Sequence, residues 1–423
     1  MKISKYSLLV SSMYLLSGCV SQPSIPKVEE AEVNKYEKTY MAEYEIIKQQ
    51  NADYQPFFKW VQPKNKKEEC KVWVGYDPNN DRTIKSEYAF YWDGACKDGY
   101  ADGLGSAFET SQFANRQQIA IYNKGNPDTY CVHLDPLNGV IVEGECLYYT
   151  DKPSHYVKTI ISERNGDLQL AYEFGLGMSK DLPMMFMKTY AFFDVVEYFK
   201  VYPNFSYVIS DLTKNEFDNR SYEFNIKEHK NGKFNGYGFA TMKKGGTNAG
   251  EMVNGTLAKR VQLPQSYFDK ANSIFSEIQN HANIALEAQR KALTIKEKYK
   301  NKICQDSVKV NFMDNNEYKA ICKEEEKFAQ LKTKIDAKLA QIEQQKQTKR
   351  QQQNEQRLIQ AKEAEAMAAQ RRATAAEKAN DQAAWNSLNQ SLQNMNNNMQ
   401  MQQLNNNLMQ YNLMPKRYDV YLH

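Results

Sequence analysis

Apolar and polar positions alternate along much of the chain between residues 56 and 262. The stretches 168–174 and 222–226 show this clearly, because an apolar side chain stands at every second position. A period of two is typical of strands with one buried face, and the Gly, Asn, Asp and Pro residues between the stretches are typical of turns. The pattern therefore predicts an antiparallel β domain over 56–262.

Beyond Pro264 the apolar period lengthens to three or four residues, which is typical of helices that bury one stripe in a coiled coil. Two stripes, separated by the polar residues 314–316, predict an antiparallel α-helical hairpin over 263–384, and so an α+β fold class. The first stripe comprises Phe268, Ala271, Phe275, Ile278, Ala282, Ala285, Ala288, Ala292, Ile295, Tyr299 and Ile303. The second comprises Ile321, Phe328, Leu331, Ile335, Leu339 and Ile342.

Three segments lack a strong pattern. Residues 19–55 read as a tether that leads into a weak helix. Residues 344–357 are so polar that a helix there must lie in water or meet a partner along a narrow line. Residues 385–423 form an Asn/Gln/Met-rich tail whose composition favours disorder, while its Leu and Met residues at helical steps favour an interaction helix that folds on contact.

The amino terminus has the layout of a secretory signal. Residues 1–5 are basic, residues 8–16 are apolar, and the apolar stretch is too short to remain as a membrane-spanning helix. The sequence Leu-Ser-Gly-Cys at 16–19 resembles the lipobox of bacterial lipoproteins. This resemblance implies removal of residues 1–18, diacylglycerol on the sulfur of Cys19, and acylation of the new amino terminus. The alternative is an ordinary signal with an incidental cysteine.

The lipoprotein resemblance also implies an address. Val20, rather than Asp, follows Cys19, and in the sorting rule of such lipoproteins this favours the outer membrane. We therefore expect a lipid-anchored protein of the bacterial cell envelope that faces the periplasm.

The other six cysteines form an even set, as expected for disulfides in an oxidising compartment. Cys131 and Cys146 lie symmetrically about Asn138-Gly139, a dipeptide suited to a tight hairpin turn, so cross-strand pairing would bring them together. Cys304 and Cys322 lie symmetrically about the break between the helical patterns. By elimination Cys70 joins Cys96. The competing interpretation is free or metal-binding thiols, although no C-x-x-C pair is present.

Two glycine-rich fragments share one spacing. In the first, Trp92-x-Gly94 is followed by Gly99, Gly103 and Gly105; in the second, Gly232, Gly236 and Gly238 are followed by Gly250 and Gly255. These fragments resemble MORN repeats, whose length of 23 residues equals the step from Gly232 to Gly255. The resemblance implies short hairpins in which aromatic rings pack over bare glycine backbone. The alternative is chance, because glycine-rich hairpins often contain G-x-G.

Composition and charge limit the classes of partner that the chain is expected to bind. The 423 residues are 41% hydrophobic, which is enough for more than one core, and the formal net charge is +4. Loss of Lys2 and Lys5 with the signal would reduce this charge to about +2, which gives no basis for nucleic-acid binding. We predict no nucleic-acid partner.

No catalytic motif is present in the sequence. The five histidines lack metal-ligand spacing, and the common nucleophile and phosphate-binding motifs do not occur. Residues 77–81 resemble the start of a calcium loop, but Arg82 replaces the glycine that makes its turn, so we interpret them as a polar turn. We predict no cofactor and no metal site.

The sequence therefore favours a non-catalytic lipoprotein that acts as an envelope scaffold or adaptor. Its partners would be membrane lipid, through acylated Cys19, and an envelope protein or the cell wall; the helices could also pair two copies of the chain. One alternative is a glycan or peptidoglycan binder, which predicts that Trp73 or Trp92 faces solvent. The other is a glycan hydrolase whose carboxylates converge only in the folded chain.

Overall fold

A computed structural model describes residues 24–51, 57–76, 89–111, 114–146, 153–177, 179, 182–215, 218–300, 304, 313 and 315–376. These residues form four helices and 17 strands. The helices are α1 Glu30–Val33, α2 Lys35–Gln50, α3 Gln265–Lys298 and α4 Asn315–Ala376. The strands are β1 Phe57–Val61, β2 Val72–Tyr76, β3 Ala89–Trp92, β4 Ala95–Lys97, β5 Tyr100–Ser111, β6 Ala114–Asn123, β7 Asn126–Asp135, β8 Val140–Glu145, β9 His155–Arg164, β10 Asp167–Leu176, β11 Met184–Tyr190, β12 Val196–Val201, β13 Phe205–Asp211, β14 Arg220–Glu228, β15 Gly236–Met242, β16 Thr247–Val253 and β17 Thr256–Arg260.

The predicted α+β fold class is confirmed, since antiparallel sheet precedes long helices. Two compact units divide the chain differently from the predicted β and helical domains. Of the described residues, those up to residue 51 and those within 175–188 and 194–282 form the first unit, and those within 57–174, within 189–193 and from residue 283 onward form the second. Helix α3 contributes residues to both units. None of the described helices has an apolar stretch long enough to cross a membrane.

Strands β12 to β17 form an antiparallel meander in the first unit. Phe224 lies opposite Phe239, and both point to one face because cross-strand partners share a face. Helices α2 and α3 cover this face. Tyr40 of α2 stacks on Phe205 with ring centroids 5.4 Å apart, and Tyr267 of α3 meets Phe224 edge-on at 5.5 Å. The core of the first unit is therefore rich in aromatic rings.

In the second unit, strands β5 to β9 pair in sequence order, and β3 and β4 also pair with β5. Apolar residues of β6 to β8 lie against the end of α3 and the beginning of α4, where Val132 shares a core with Ile295 and Phe328. On the opposite face, the hairpin of β1 and β2 packs over Trp92, which is fully buried. The second unit thus has a core on each side of its sheet.

The helical stripes are where the sequence predicts them, apart from Ile303, which lies outside the described residues. The stripe of α3 packs on strands as well as on a helix. Ala271 and Ile278 lie in the core of the first unit. Ala292 and Ile295 lie in the second unit against both strands and α4. The period of an apolar stripe shows that a face is buried, and it does not show whether a helix or a sheet covers that face.

The predicted tether is wrong for residues 24–51, although the helix into which it leads is present as α2. Val33 and Tyr40 are buried in the core of the first unit, and Val28 joins them. Residues 24–51 are therefore an integral part of the fold, and the part of the predicted tether before residue 24 lies outside the described residues.

All three predicted cysteine pairings are present. Disulfides join Cys70 to Cys96, Cys131 to Cys146 and Cys304 to Cys322, with Cα atoms 5.4, 5.2 and 5.3 Å apart. These separations are typical of disulfides. All six cysteines belong to the second unit.

The turn between β7 and β8 differs from the tight dipeptide turn predicted at Asn138-Gly139. Asp135 pairs with Val140, so four residues form the loop. The Asp135 carboxylate accepts hydrogen bonds from the backbone N–H and the side-chain amide of Asn138, at 3.2 and 2.8 Å. Aspartate commonly closes a loop in this way. Cys131 consequently lies opposite Gly144, and its disulfide reaches two residues further along the chain to Cys146, just beyond the end of β8.

Candidate functional site

Helix α4 has a buried first part and an exposed second part. Ile321, Phe328 and Ile335 are buried, whereas every side chain from residue 343 to residue 367 is exposed. We name residues 343–367 the exposed arm. At a rise of 1.5 Å per residue, the exposed arm extends for about 37 Å. The structure therefore fixes one end of a long helix and leaves the rest open to contact.

The surface of the exposed arm is mostly polar, with three large apolar side chains. Leu358, Ile359 and Met367 are each more than half exposed. At about 100° per residue they fall on one half of the helix circumference. A helix that extends in water gains little stability from packing of its own, so this half is suited to a narrow contact with a partner.

Three aromatic rings form a second candidate surface, in the second unit. Trp60 and Trp73 lie opposite each other on β1 and β2, with ring centroids 4.6 Å apart. Tyr100 lies 5.1 Å from Trp60. We name these three residues the aromatic surface. Trp60 is 41% exposed and Trp73 is half-buried, so a flat, apolar ligand could contact the rings from solvent.

Trp92 does not face solvent. Its side chain is 0% exposed, and its indole N–H donates to the carbonyl oxygen of Ala95 at 2.9 Å. Of the two residues that the glycan alternative offers, Trp73 or Trp92, Trp92 is buried and Trp73 is half-buried within the aromatic surface. The glycines that follow Trp92 allow its ring to lie against the backbone.

The first MORN-like fragment forms a hairpin in which glycines make room for an aromatic ring. A Cβ atom at Gly94 or Gly105 would overlap the ring of Trp92. The turn between β4 and β5 contains Asp98 and Gly99, both with positive φ. In this fragment Gly94 and Gly105 lie against the ring of Trp92, whereas a Cβ atom at Gly99 would approach Glu69 and one at Gly103 would meet no neighbour within 4 Å.

The second MORN-like fragment also forms hairpins, but its glycines face other neighbours. A Cβ atom at Gly238 would overlap Asn225, and one at Gly250 would overlap Leu257 and the Lys259 carbonyl. Because these glycines have no side chain, neighbouring strands and polar groups can lie close to their backbone. Glycines with positive φ in the two fragments are Gly99, Gly103, Gly232, Gly236 and Gly255.

Several carboxylates that could have served in hydrolysis have structural partners in the second unit. Glu143 is buried, accepts a hydrogen bond from the Gln289 amide at 2.7 Å and lies 3.8 Å from the Lys296 ammonium. Burial lowers the pKa of Lys296. Asp135 pairs with Arg116 at 3.4 Å. These contacts neutralise charge within the fold. Across the described residues, no group of His, Cys, Asp and Glu side chains is arranged to hold a metal ion.

Some predicted features lie outside the described residues. These are Cys19, the polar turn at 77–81 and the tail at 385–423. Sequence reasoning overlooked Trp60 as a surface residue. The signal was weak, because the run Phe-Phe-Lys-Trp-Val at 57–61 has the same aromatic density as a buried strand.

No protein-family model and no curated protein sequence matches the chain. The lipoprotein and MORN-like resemblances therefore rest on the quoted motifs. The features of the chain that bear on its function are the exposed arm, the aromatic surface and the expected anchor.

Proposed function

We propose that this protein is a membrane-anchored adaptor of the bacterial envelope. Lipid on Cys19 would hold the chain at the outer membrane, the second unit would hold the start of α4, and the exposed arm would contact an envelope protein. The observation that carries the proposal is the contrast within α4, where a buried first part is followed by a fully exposed arm.

The contrast supports an adaptor because binding to a pre-formed helix costs less ordering entropy than binding to a flexible segment. Ile321, Phe328 and Ile335 fix the start of α4 in two cores of the second unit. The apolar half of the arm is small, so it suits a helix-in-groove contact with a few anchor residues. Charged residues of both signs surround those anchors and would set partner choice more than affinity.

The test compares truncated chains in membranes. Deletion of 343–423 removes the arm and the tail, while deletion of 377–423 removes only residues beyond α4. Deletion of the whole predicted helical domain is unsuitable, because α3 supplies core residues to both units. We expect crosslinked partner to be recovered with the full chain and with the shorter deletion, and to be lost with the longer one.

Charge substitutions sharpen this test. Leu358→Lys, Ile359→Lys and Met367→Lys together should reduce partner recovery about tenfold or more, since anchor residues carry most of a contact's free energy. The matched control places Lys at Asn354, Ala361 and Ala364, which are exposed on the other half of the helix. Equal recovery from the anchor triple and the full chain would contradict the proposal. Sedimentation of the purified chain tests whether the partner is a second copy.

The aromatic surface supports a second candidate function, binding of envelope glycan. Sugar rings stack on exposed aromatic faces, and Trp60 offers such a face beside Trp73 and Tyr100. Trp60→Ala should reduce co-sedimentation with purified sacculi, whereas Phe193→Ala, which removes another exposed ring of the same unit, should not. Unchanged co-sedimentation of the Trp60 variant would eliminate this candidate.

A further inference from the structure

The amino-terminal segment is joined to the last strand of the first unit. The backbone N–H of Gln262 donates to the carbonyl of Pro26 at 2.8 Å, and the N–H of Val28 donates to the carbonyl of Gln262 at 3.1 Å. Val28 is buried in the core. The first unit therefore holds the chain firmly from residue 26 onward.

This connection limits how far the fold can stand from an anchor at Cys19. Seven peptide units separate Cys19 from Pro26, and a fully extended chain of that length spans at most about 25 Å. A short link also gives the linked surface an effective concentration in the millimolar range. Weak contacts with the membrane are then sufficient to orient the first unit.

The surface nearest to this link contains exposed cations and apolar side chains. Lys27 is exposed, and it pairs in parallel register with Gln262, two residues after Arg260. Strand β17 is the terminal strand of the meander, and all five of its side chains are exposed, including Lys259 and Arg260. Ile25 and Leu257 are each 47% exposed. We name Ile25, Lys27, Leu257, Lys259 and Arg260 the edge patch.

The charge of the edge patch fits an anionic surface. Its three cations form no ion pair with a described carboxylate. Glu29 and Glu30 are exposed at the start of α1 and oppose this charge, as does Glu251, which lies opposite Lys259 on β16 and accepts a hydrogen bond from the Tyr36 hydroxyl at 2.7 Å. The cations of the edge patch lie on terminal strand β17 and on the amino-terminal segment, whereas Glu251 lies one strand further into the sheet. Lys and Arg side chains close to an anionic bilayer are attracted to its headgroups, and the two apolar side chains can enter the headgroup region.

We propose that the edge patch rests on the anionic phospholipid headgroups of the membrane that holds Cys19. This inference depends on the proposed lipid anchor and adds an orientation to it. Contact through the edge patch would hold the first unit against the bilayer, with the end of its meander at β17 facing the lipid.

Hydrogen exchange on the lipidated full chain tests the contact directly. The chain is reconstituted into vesicles of phosphatidylcholine alone, or of phosphatidylcholine with about a third phosphatidylglycerol, an amount chosen to give a strong negative surface potential. We expect the amides of 256–260 to exchange several-fold more slowly on the anionic vesicles. Equal exchange on both vesicle types would overturn the proposal.

Charge reversal provides the matched comparison. Lys259→Glu with Arg260→Glu should remove the protection, because both charges change sign. Lys214→Glu with Lys244→Glu reverses two other exposed cations of the first unit and should leave the protection intact. Loss of protection in both variants would also overturn the proposal, since it would show a response to net charge alone.

A second measurement separates the contact from the anchor. An unlipidated chain with Cys19→Ser should still co-sediment with anionic vesicles, with affinity that falls as salt rises, and Lys259→Glu with Arg260→Glu should weaken it about tenfold or more. Absence of lipid on Cys19 by mass spectrometry refutes the anchor. Protection that depends on protein concentration and appears on neutral vesicles would identify a protein on β17 and would refute the lipid contact.

Discussion

The two units hold together by different means. The first unit buries stacked and edge-on aromatic rings from strands and helices, and the second unit contains all three disulfides. The second unit also buries carboxylates, among them Glu143 and Asp135, and it half-buries Lys296, whose pKa burial lowers. The two units of one antiparallel fold can therefore differ in their sensitivity to redox state and pH.

The difference follows from where the apolar side chains are. In the first unit, the single ring of Phe224 contacts three other rings, those of Tyr207, Phe239 and Tyr267. In the second unit, the β1–β2 hairpin that covers Trp92 is a two-stranded sheet, and such hairpins are marginal without further support. The disulfide between Cys70 and Cys96 supplies that support, because it joins the segment just before β2 to strand β4.

Reduction of the disulfides should have the largest effect. Each of the three loops, with sequence separations of 26, 15 and 18 residues, contributes about 3 kcal/mol to stability in the chain-entropy account. We expect dithiothreitol to accelerate hydrogen exchange throughout the second unit and to leave β12 to β17 nearly unchanged. Equal acceleration in both units would contradict the comparison.

Removal of one ring should have the next largest effect, and it should act in the first unit. Phe224→Ala removes a fully buried ring, and such changes cost about 3 to 5 kcal/mol. Urea unfolding, with hydrogen exchange to locate the loss, measures the effect. Phe224→Leu is the control and should cost less, because it leaves a smaller cavity. A loss located in the second unit would show that the two units are not separately stabilised.

Much of this fold could be predicted, since period-two runs and helical stripes depend on local burial. Two cysteine pairs followed from symmetry about a turn or break, and the pair of Cys70 and Cys96 followed by elimination. The role of 24–51 was missed, although Val33, Tyr36, Tyr40 and Tyr44 recur at helical steps, because tyrosine is compatible with both surface and core.

The candidate site was less predictable than the fold. Polar composition identified 344–357 as a helix in water or against a partner, and the exposed arm agrees with its position. The exposure of Trp60 and the burial of Trp92 could not be separated by sequence, since both stand among aromatic and β-branched neighbours. Trp92 is buried because the β1–β2 hairpin packs over it. That packing depends on residues that are far apart in the sequence, so a local pattern does not show it.

Acid sensitivity should be a property of the second unit. Burial lowers the pKa of His133 from 6.5 to about 4, and the Arg116 cation acts in the same direction. A lowered pKa means that stability is complete above pH 6.5 and is lost as pH falls toward 4, because the unfolded chain takes up the proton first. From these two values the loss at pH 4.5 is about 2.5 kcal/mol.

His133→Gln tests this sign. Urea unfolding at pH 7 and at pH 4.5 should show that the variant loses about 2.5 kcal/mol less than the unmodified chain over this interval. The first-unit variant Phe224→Leu is the control and should retain the full pH dependence. If His133→Gln kept the full pH dependence of unfolding, the expected difference in acid sensitivity between the two units would be contradicted.

The smallest expected effects come from two buried hydroxyls. In the first unit, Tyr267 donates to the Tyr237 carbonyl at 2.5 Å, a neutral acceptor. In the second, Tyr299 donates to the Asp93 carboxylate, a charged acceptor, and burial raises its pKa. Hydrogen bonds to charged groups contribute about 1.5 to 3 kcal/mol, and bonds between neutral groups contribute about 1 kcal/mol.

Tyr299→Phe should therefore cost about 2 kcal/mol and Tyr267→Phe about 1 kcal/mol, with both losses measured by urea unfolding. The ring stays in place in each variant, so the difference isolates the acceptor. If the first unit depends on ring packing and the second on buried charge, the order of the two costs must be as stated. The reverse order would mean that hydroxyl bonding stabilises the aromatic core more than charge stabilises the disulfide-bonded one.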